Sequence, residues 1–141
     1  GLLTSGALTM YPERLGAAVI QVPLTDMLRY HTWSAGASWM AEYGDPDDEV
    51  EGAAIREWSP TQRVAKHGDR PYPPTLVTTS TRDDRVHPAH ARTLVWLLRE
   101  AGQPVDYSEN TEGGHAGAAD NRQIARLESL IHSWLWRTLG R

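Results

Sequence analysis

The sequence predicts an α/β fold, a parallel sheet with helices on its faces, and three observations carry that prediction. Ala17-Ala18-Val19-Ile20-Gln21-Val22 is a nearly continuous apolar run, the pattern of a strand covered on both sides. Thr75-Leu76-Val77-Thr78-Thr79-Ser80 is a second run, β-branched almost throughout. Helical patterns then alternate with strands, in the order helix, strand, excursion, strand, helix, strand, helix. Alternation of that kind builds parallel strands joined by crossover helices.

Taken in order, Gly1 to Met10 is small and apolar and reads as a helix without a side-chain cap; Tyr11-Pro12 ends it, because proline disfavours the α conformation in the residue before it. Pro23 ends the first strand. From Asp26 to about Trp58 the chain is irregular, with short helical pieces expected around Met27–His31 and Ala53–Trp58. Between them lies the acidic turn Tyr43-Gly44-Asp45-Pro46-Asp47-Asp48, and Ser59-Pro60 has the form of an N-cap followed by proline at the first helical position. Residues 67–74 form a loop rich in proline and charge before the second strand. A helix from about Pro88 to Ala101 puts Ala91, Leu94, Val95 and Leu98 on one stripe, with Gly102 at its end. Val105 to Glu109 alternates as a shorter third strand. A last helix, about Ala119 to Leu139, is expected to bury Ile124, Leu127, Ile131, Trp134 and Leu135.

Composition narrows the function classes. The 141 residues carry 14 basic and 18 acidic side chains, a formal charge of -4. Nucleic-acid binders gather a basic surplus on one face, so no nucleic-acid partner is expected. No apolar run reaches the roughly 20 residues that span a bilayer, so no membrane partner is expected. No basic segment followed by an apolar core opens the sequence, which leaves a cytoplasmic or periplasmic address as the expectation. With no cysteine there is no thiolate nucleophile, no disulfide framework and no cysteine-held metal. Six Trp and five Tyr stand beside no Phe, so every aromatic ring carries a polar group that needs a partner when buried.

Ligands of open parallel sheets sit at the carboxyl ends of the strands, and two loops leave such ends here. One is Thr81-Arg82-Asp83-Asp84-Arg85-Val86-His87-Pro88; the other is Asn110-Thr111-Glu112-Gly113-Gly114-His115-Ala116-Gly117. A histidine flanked by glycines can approach a substrate without steric obstruction. An aspartate on the neighbouring loop can fix the imidazole tautomer and stabilise the imidazolium. Asp before His on successive strands is also the order of the last two triad members in α/β-hydrolases. A loop histidine with no catalytic task is the plain alternative for His115.

Other groupings carry less. His87 and His90 lie three apart at a helix start without a third ligand, so no metal site is assigned. Asp45, Asp47, Asp48, Glu49 and Glu51 lack the glycine and terminal glutamate of an EF-hand loop and read as a solvated turn. No glycine-rich phosphate loop or dinucleotide fingerprint occurs, and no cofactor is implied.

Four blocks in order and spacing carry a resemblance across essentially the whole chain: Gln21-Val22-Pro23-Leu24-Thr25-Asp26-Met27-Leu28-Arg29-Tyr30-His31, Gly36-Ala37-Ser38-Trp39-Met40-Ala41-Glu42-Tyr43-Gly44, Asp83-Asp84-Arg85-Val86, and Gly114-His115-Ala116-Gly117. The sequence resembles the prolyl oligopeptidases, in particular their bacterial members. The resemblance implies that residues 1–141 are the C-terminal portion of an α/β-hydrolase catalytic domain. It implies a serine peptidase that cleaves short peptides on the carboxyl side of proline through a Ser-Asp-His triad. Asp83 would be the triad acid and His115 the general base. Arg85 would bond a substrate carbonyl, Trp39 would stack on the proline ring, and Tyr43, Leu24 and Val86 would line that pocket. A flat indole packs on a pyrrolidine ring without demanding polar groups, and a guanidinium offers several donors to an amide oxygen. The plain alternatives are core packing for Trp39 and an ion pair between Arg85 and Asp84.

The family's nucleophile sits in a Gly-x-Ser-x-Gly turn, and Gly1-Leu2-Leu3 matches the residues shortly after that serine. The resemblance therefore places the serine three positions upstream of Gly1, with the oxyanion hole partly beside it. Ser5, Ser34, Ser38 and Ser80 lack the motif. The segment by itself is expected to be inactive, and its first strand is expected to present an open edge that the upstream part of the same enzyme completes. The family's propeller is likewise outside the segment. Two further readings stay open: a catalytically inactive remnant acting as a binding or assembly module, and a related oligopeptidase with non-prolyl specificity.

Overall fold

The computed structural model describes residues 1–140. Helix α1 (Leu2–Met10) leads into strand β1 (Ala18–Gln21), and a short 3-10 turn at Pro12–Arg14 lies between them. The excursion after β1 holds two 3-10 turns, Tyr30–Thr32 and Gly36–Trp39, then helices α2 (Met40–Tyr43), α3 (Glu49–Trp58) and α4 (Pro60–His67). Strand β2 (Thr75–Ser80), helix α5 (Ala89–Glu100), strand β3 (Val105–Asn110) and helix α6 (Asn121–Leu139) complete the chain. The sheet is parallel in the order β1-β2-β3, with Ala18 opposite Thr75 and Thr75 opposite Val105. The α/β prediction with a parallel sheet and flanking helices matches this architecture.

The sheet separates two apolar layers. On one face α1, α4 and α5 pack Leu8, Val64, Ala91, Leu94, Val95 and Leu98 against Ala18, Ile20 and Val77. On the other, α6 sets Ile131 and Trp134 against Leu76, with Val19, Leu127 and Leu135 at the margin. Central β2 is buried at all six positions, whereas β1 runs buried, half-buried, buried, exposed. In the order β1-β2-β3, β1 is an edge strand among the described residues, yet both its faces are covered, Ala18 and Ile20 by one layer and Val19 by the other. Immediately after it Val22 takes φ +40°, a left-handed conformation that costs a β-branched residue about 1–3 kcal/mol and turns the chain into the excursion. At Gly1 a Cβ would fall 2.4 Å from Pro23 Cα, so α1 can start this close to the end of β1 only on a glycine.

Several local expectations change in the structure. Ile124 is 47% exposed rather than buried; α6 is half-buried at Leu127 and buried only from Ile131, with Leu135 again half-buried. The short helical piece expected around Met27–His31 is a 3-10 turn over Tyr30–Thr32, preceded by turns in which Met27 N–H donates to Ser59 Oγ. Helix α3 begins at Glu49, well before Ala53, because Asp48 caps it by accepting from Val50 N–H and Glu51 N–H. Ser59 does sit at the start of α4 ahead of Pro60, yet its hydroxyl makes no cap bond. It accepts instead from Met27 N–H at 2.9 Å. Ser59 keeps the N-cap position while its hydroxyl serves a tertiary contact.

The excursion closes around its own cluster of Leu24, Met27, Tyr30, Ile55 and Val86. Beneath it lies a buried polar hub. Thr25 Oγ1 donates to the His90 carbonyl at 2.7 Å, Thr61 N–H donates to the Thr25 carbonyl at 2.9 Å, and Asp26 accepts from Arg29 Nε at 2.6 Å and Gln62 Nε2 at 2.9 Å. Each bond compensates a group removed from water, which lets a long irregular segment stay buried.

Candidate active site

Strands β2 and β3 end side by side, with Ser80 opposite Asn110, so the loops beyond them leave as neighbours. The first makes a tight turn in which Asp83 Oδ1 accepts from Arg85 N–H at 3.0 Å and Val86 N–H at 2.8 Å. That turn fixes the carboxylate and removes its side chain wholly from solvent. The second loop brings His115 Nδ1 to 2.9 Å from Asp83 Oδ2, while the imidazole keeps 35% of its surface exposed. One ring nitrogen is thus committed to a buried carboxylate and the ring still reaches solvent. The other nitrogen is left to exchange a proton with a group outside the loop.

Glycine makes the His115 loop possible at two points. Gly117 has φ +78°, a conformation open to glycine without strain. At Gly113 a Cβ would fall 2.9 Å from both Ala118 N and Asn110 Nδ2. The loop folds over the Asn110 amide, which accepts from Glu112 N–H at 2.9 Å and donates to the Gly117 carbonyl at 2.9 Å and to Gln123 Oε1 at 2.7 Å. Gln123 in turn accepts from Ala119 N–H at 2.9 Å and donates to Glu112 at 2.7 Å. Sequence reasoning missed both residues; an asparagine two positions before the Glu112 amide is an Asx-turn signal that would have pointed to the first.

A second network lies on the α5 side. Glu109 accepts from Thr81 Oγ1 at 2.6 Å, from Arg92 and from the Tyr107 hydroxyl. The Arg92 guanidinium above all holds the Glu109 carboxyl down at about 2, and burial together with the bond to Glu109 pushes the Tyr107 phenol up.

The four residues expected around a substrate ring meet in one place. Leu24 and Val86 are buried in the excursion's cluster, and half-buried Trp39 and Tyr43 pack on it from outside. Tyr43 meets Tyr30 edge to face at 5.9 Å. Trp39 and Tyr43 thus lie at the half-buried margin of the cluster that encloses Leu24 and Val86. Exposed Arg85 neighbours Val86, and its carbonyl accepts from Ala35 N–H at 3.3 Å, which joins the Asp83 turn to the segment leading to Trp39. Among the described residues Arg85 makes no ion pair with Asp84. A cleft of about 410 Å³ lies elsewhere, behind the His115 loop, between the ends of β2 and β3 and the start of α6.

The remaining candidates take structural positions. Ser5 is fully buried and its hydroxyl donates to the Gly1 carbonyl at 2.8 Å, which removes it from any role as an exposed nucleophile. His90 is buried with Nδ1 accepting from Thr25 N–H at 3.3 Å and Asp26 N–H at 3.1 Å, so it is not poised beside His87 as a ligand. Burial lowers its pKa to about 4, so it is neutral at physiological pH. The acidic turn serves locally: Asp48 caps α3, and Asp47 meets His31 Nε2 at 3.1 Å.

The prolyl oligopeptidase family model matches residues 1–141 from end to end. The chain belongs to the prolyl oligopeptidase family. It is 48% identical over 139 residues to the uncharacterized peptidase y4nA of Sinorhizobium fredii, and 34% identical over 144 residues to the prolyl endopeptidase of Elizabethkingia meningoseptica. Each match covers 99% of this chain, but only 19% of the first relative and 20% of the second. The chain thus spans about a fifth of the length of these family members. A solved post-proline cleaving enzyme from Rickettsia typhi superposes with a TM-score of 0.93 at 32% identity, covering 98% of this chain and 20% of that one. No described helix is long and apolar enough to cross a membrane.

Proposed function

We propose that this chain supplies the acid and the base of a Ser-Asp-His triad in a serine peptidase that cleaves short peptides after proline. The observation that carries the reading is the 2.9 Å contact between His115 Nδ1 and Asp83 Oδ2 on adjacent strand-end loops. In this proposal His115 keeps its Nδ1 proton and donates a hydrogen bond through it to Asp83. Nε2 takes the proton of the attacking serine hydroxyl as the Ser–acyl bond forms, leaving an imidazolium that the Asp83 carboxylate stabilises. The same proton passes to the leaving amine as the peptide bond breaks; water then hydrolyses the acyl-enzyme by the reverse use of His115. The nucleophile is a serine outside these 141 residues, so this segment alone is inactive and the upstream part of the enzyme completes the site. Trp39 and Tyr43 hold the proline ring over Leu24 and Val86, and Arg85 donates to a substrate carbonyl. The names of the relatives support prolyl cleavage, and no carboxylate lies among these five residues to favour a basic side chain.

The test uses the full-length enzyme with prolyl and arginyl p-nitroanilides. His115→Ala is expected to lower kcat on the prolyl substrate by about 10⁴-fold or more, consistent with removal of one triad member. Wild-type turnover by that variant, or faster cleavage after arginine than after proline by the parent enzyme, would overturn the proposal. Absence of turnover in the parent would favour the inactive binding module instead.

A further inference from the structure

Between Thr111 and Asp120 the His115 loop has little bonding of its own. Its internal backbone bond is Gly117 N–H to the Gly114 carbonyl, at 2.9 Å. Its other fastenings, the Asp83 contact apart, come from Asn110 and from the first turn of α6. Asn110 uses three of its amide's bonding positions on them: Oδ1 to Glu112 before the histidine, one Nδ2 hydrogen to Gly117 after it, the other to Gln123 on α6. The same residue's backbone carbonyl accepts from Thr81 N–H at 2.8 Å, and Thr81 opens the loop that carries Asp83. Asn110 thus binds by side chain to the histidine loop and by backbone to the aspartate loop.

We infer that Asn110 is a positioning residue, setting the distance between His115 and Asp83 by clamping the histidine loop on both sides. The inference rests on the triad reading above. An amide is suited to the task because it offers an acceptor to an N–H and donors to two oxygens at once. A carboxylate lacks the donors, and an aliphatic side chain lacks both. Loss of the clamp leaves the loop held by the Asp83 contact, by the Gln123 bonds to Glu112 and Ala119, and by the chain itself, with nothing binding Gly117 just after the histidine to the end of β3. A base displaced by about 1 Å costs on the order of 100-fold in rate without any change in what binds the substrate.

The experiment compares Asn110→Ala, Asn110→Leu and Gln123→Ala in the full-length enzyme on a short prolyl p-nitroanilide, with His115→Ala alongside. For Asn110→Ala the expected result is a fall in kcat of about 10- to 100-fold, with KM within twofold and the thermal midpoint little changed. Asn110→Leu, which keeps the volume and removes the bonds, is expected to match it. Gln123→Ala is expected to fall in the same direction by less, because Asn110 still holds Glu112 and Gly117. Wild-type kcat in Asn110→Leu, a raised KM with unchanged kcat, or a loss of kcat that only tracks a loss of folded protein would each overturn the inference. If His115→Ala itself retained full activity, the triad reading would be the one to fail.

Discussion

The His115 loop and the excursion from Val22 to α4 both carry residues assigned to substrate, yet they are held in opposite ways. The loop is short, half-exposed and fixed by glycines and amide hydrogen bonds, with Asn110 and Gln123 as its fastenings. The excursion is long and is fixed by burial: Met27 and Tyr30 are fully enclosed, and Thr25, Asp26, Ser59 and His90 bond beneath them. The proposed base needs access to its reaction partner, and directional bonds hold its loop while leaving the imidazole exposed. The proposed ring-binding surface needs only a firm floor, which apolar burial provides.

Three perturbations sharpen that contrast, the first with the largest effect. Asp83→Asn keeps an oxygen for Arg85 and Val86 N–H but gives His115 an amide in place of a carboxylate. The full-length enzyme should lose about 10⁴-fold in kcat, with a melting temperature close to that of the parent. A loss of under tenfold would show that the two loops meet without catalytic consequence.

The excursion should respond in stability before activity. At Gly36 a Cβ would lie 1.7 Å from the Tyr30 carbonyl oxygen, so Gly36→Ala must displace backbone. We expect a loss of about 3 kcal/mol in urea unfolding, and a raised KM as the Trp39 turn shifts. Unaltered unfolding would mean the excursion is looser than its packing indicates.

The smallest effect is on acid stability. His90 is neutral in the fold, with its pKa lowered to about 4, against about 6.5 in the unfolded chain. Its contribution is complete above pH 6.5 and is lost as the pH falls toward 4, because the unfolded state binds the proton first. Between pH 7 and pH 5 the loss should be about 2 kcal/mol, read from urea midpoints. The groups facing it are Asp26, His87 and Arg29, and Asp26 opposes the shift. His90→Asn, which retains an acceptor near Nδ1, should flatten this slope; an unchanged slope would assign the acid sensitivity elsewhere.

Much of this was legible in the sequence. Strands β1, β2 and β3 announced themselves by apolar or alternating runs, and α5 by its stripe, because burial on a sheet or helix face leaves a periodic mark. Asp83 and His115 could be paired from their places after successive strands. Ile124 misled because its helical spacing is right but the first turns of α6 are largely exposed, with buried positions only from Ile131. Ser59 and Pro60 take their expected N-cap and first helical positions, but no local signal shows that the Ser59 hydroxyl goes to Met27 N–H, 32 positions away in sequence.

By itself the sequence determined the layer order, the parallel sheet and which residue types stand at the strand ends. These come from periodicity and chain order, which each short stretch carries within itself. The tertiary structure alone decided the 2.9 Å contact of His115 with Asp83, the gathering of Trp39, Tyr43, Leu24 and Val86 in one cluster, and the bonds from Asn110 to Glu112 and Gly117. Those depend on how side chains far apart in sequence satisfy one another once water is removed, and no local pattern records it.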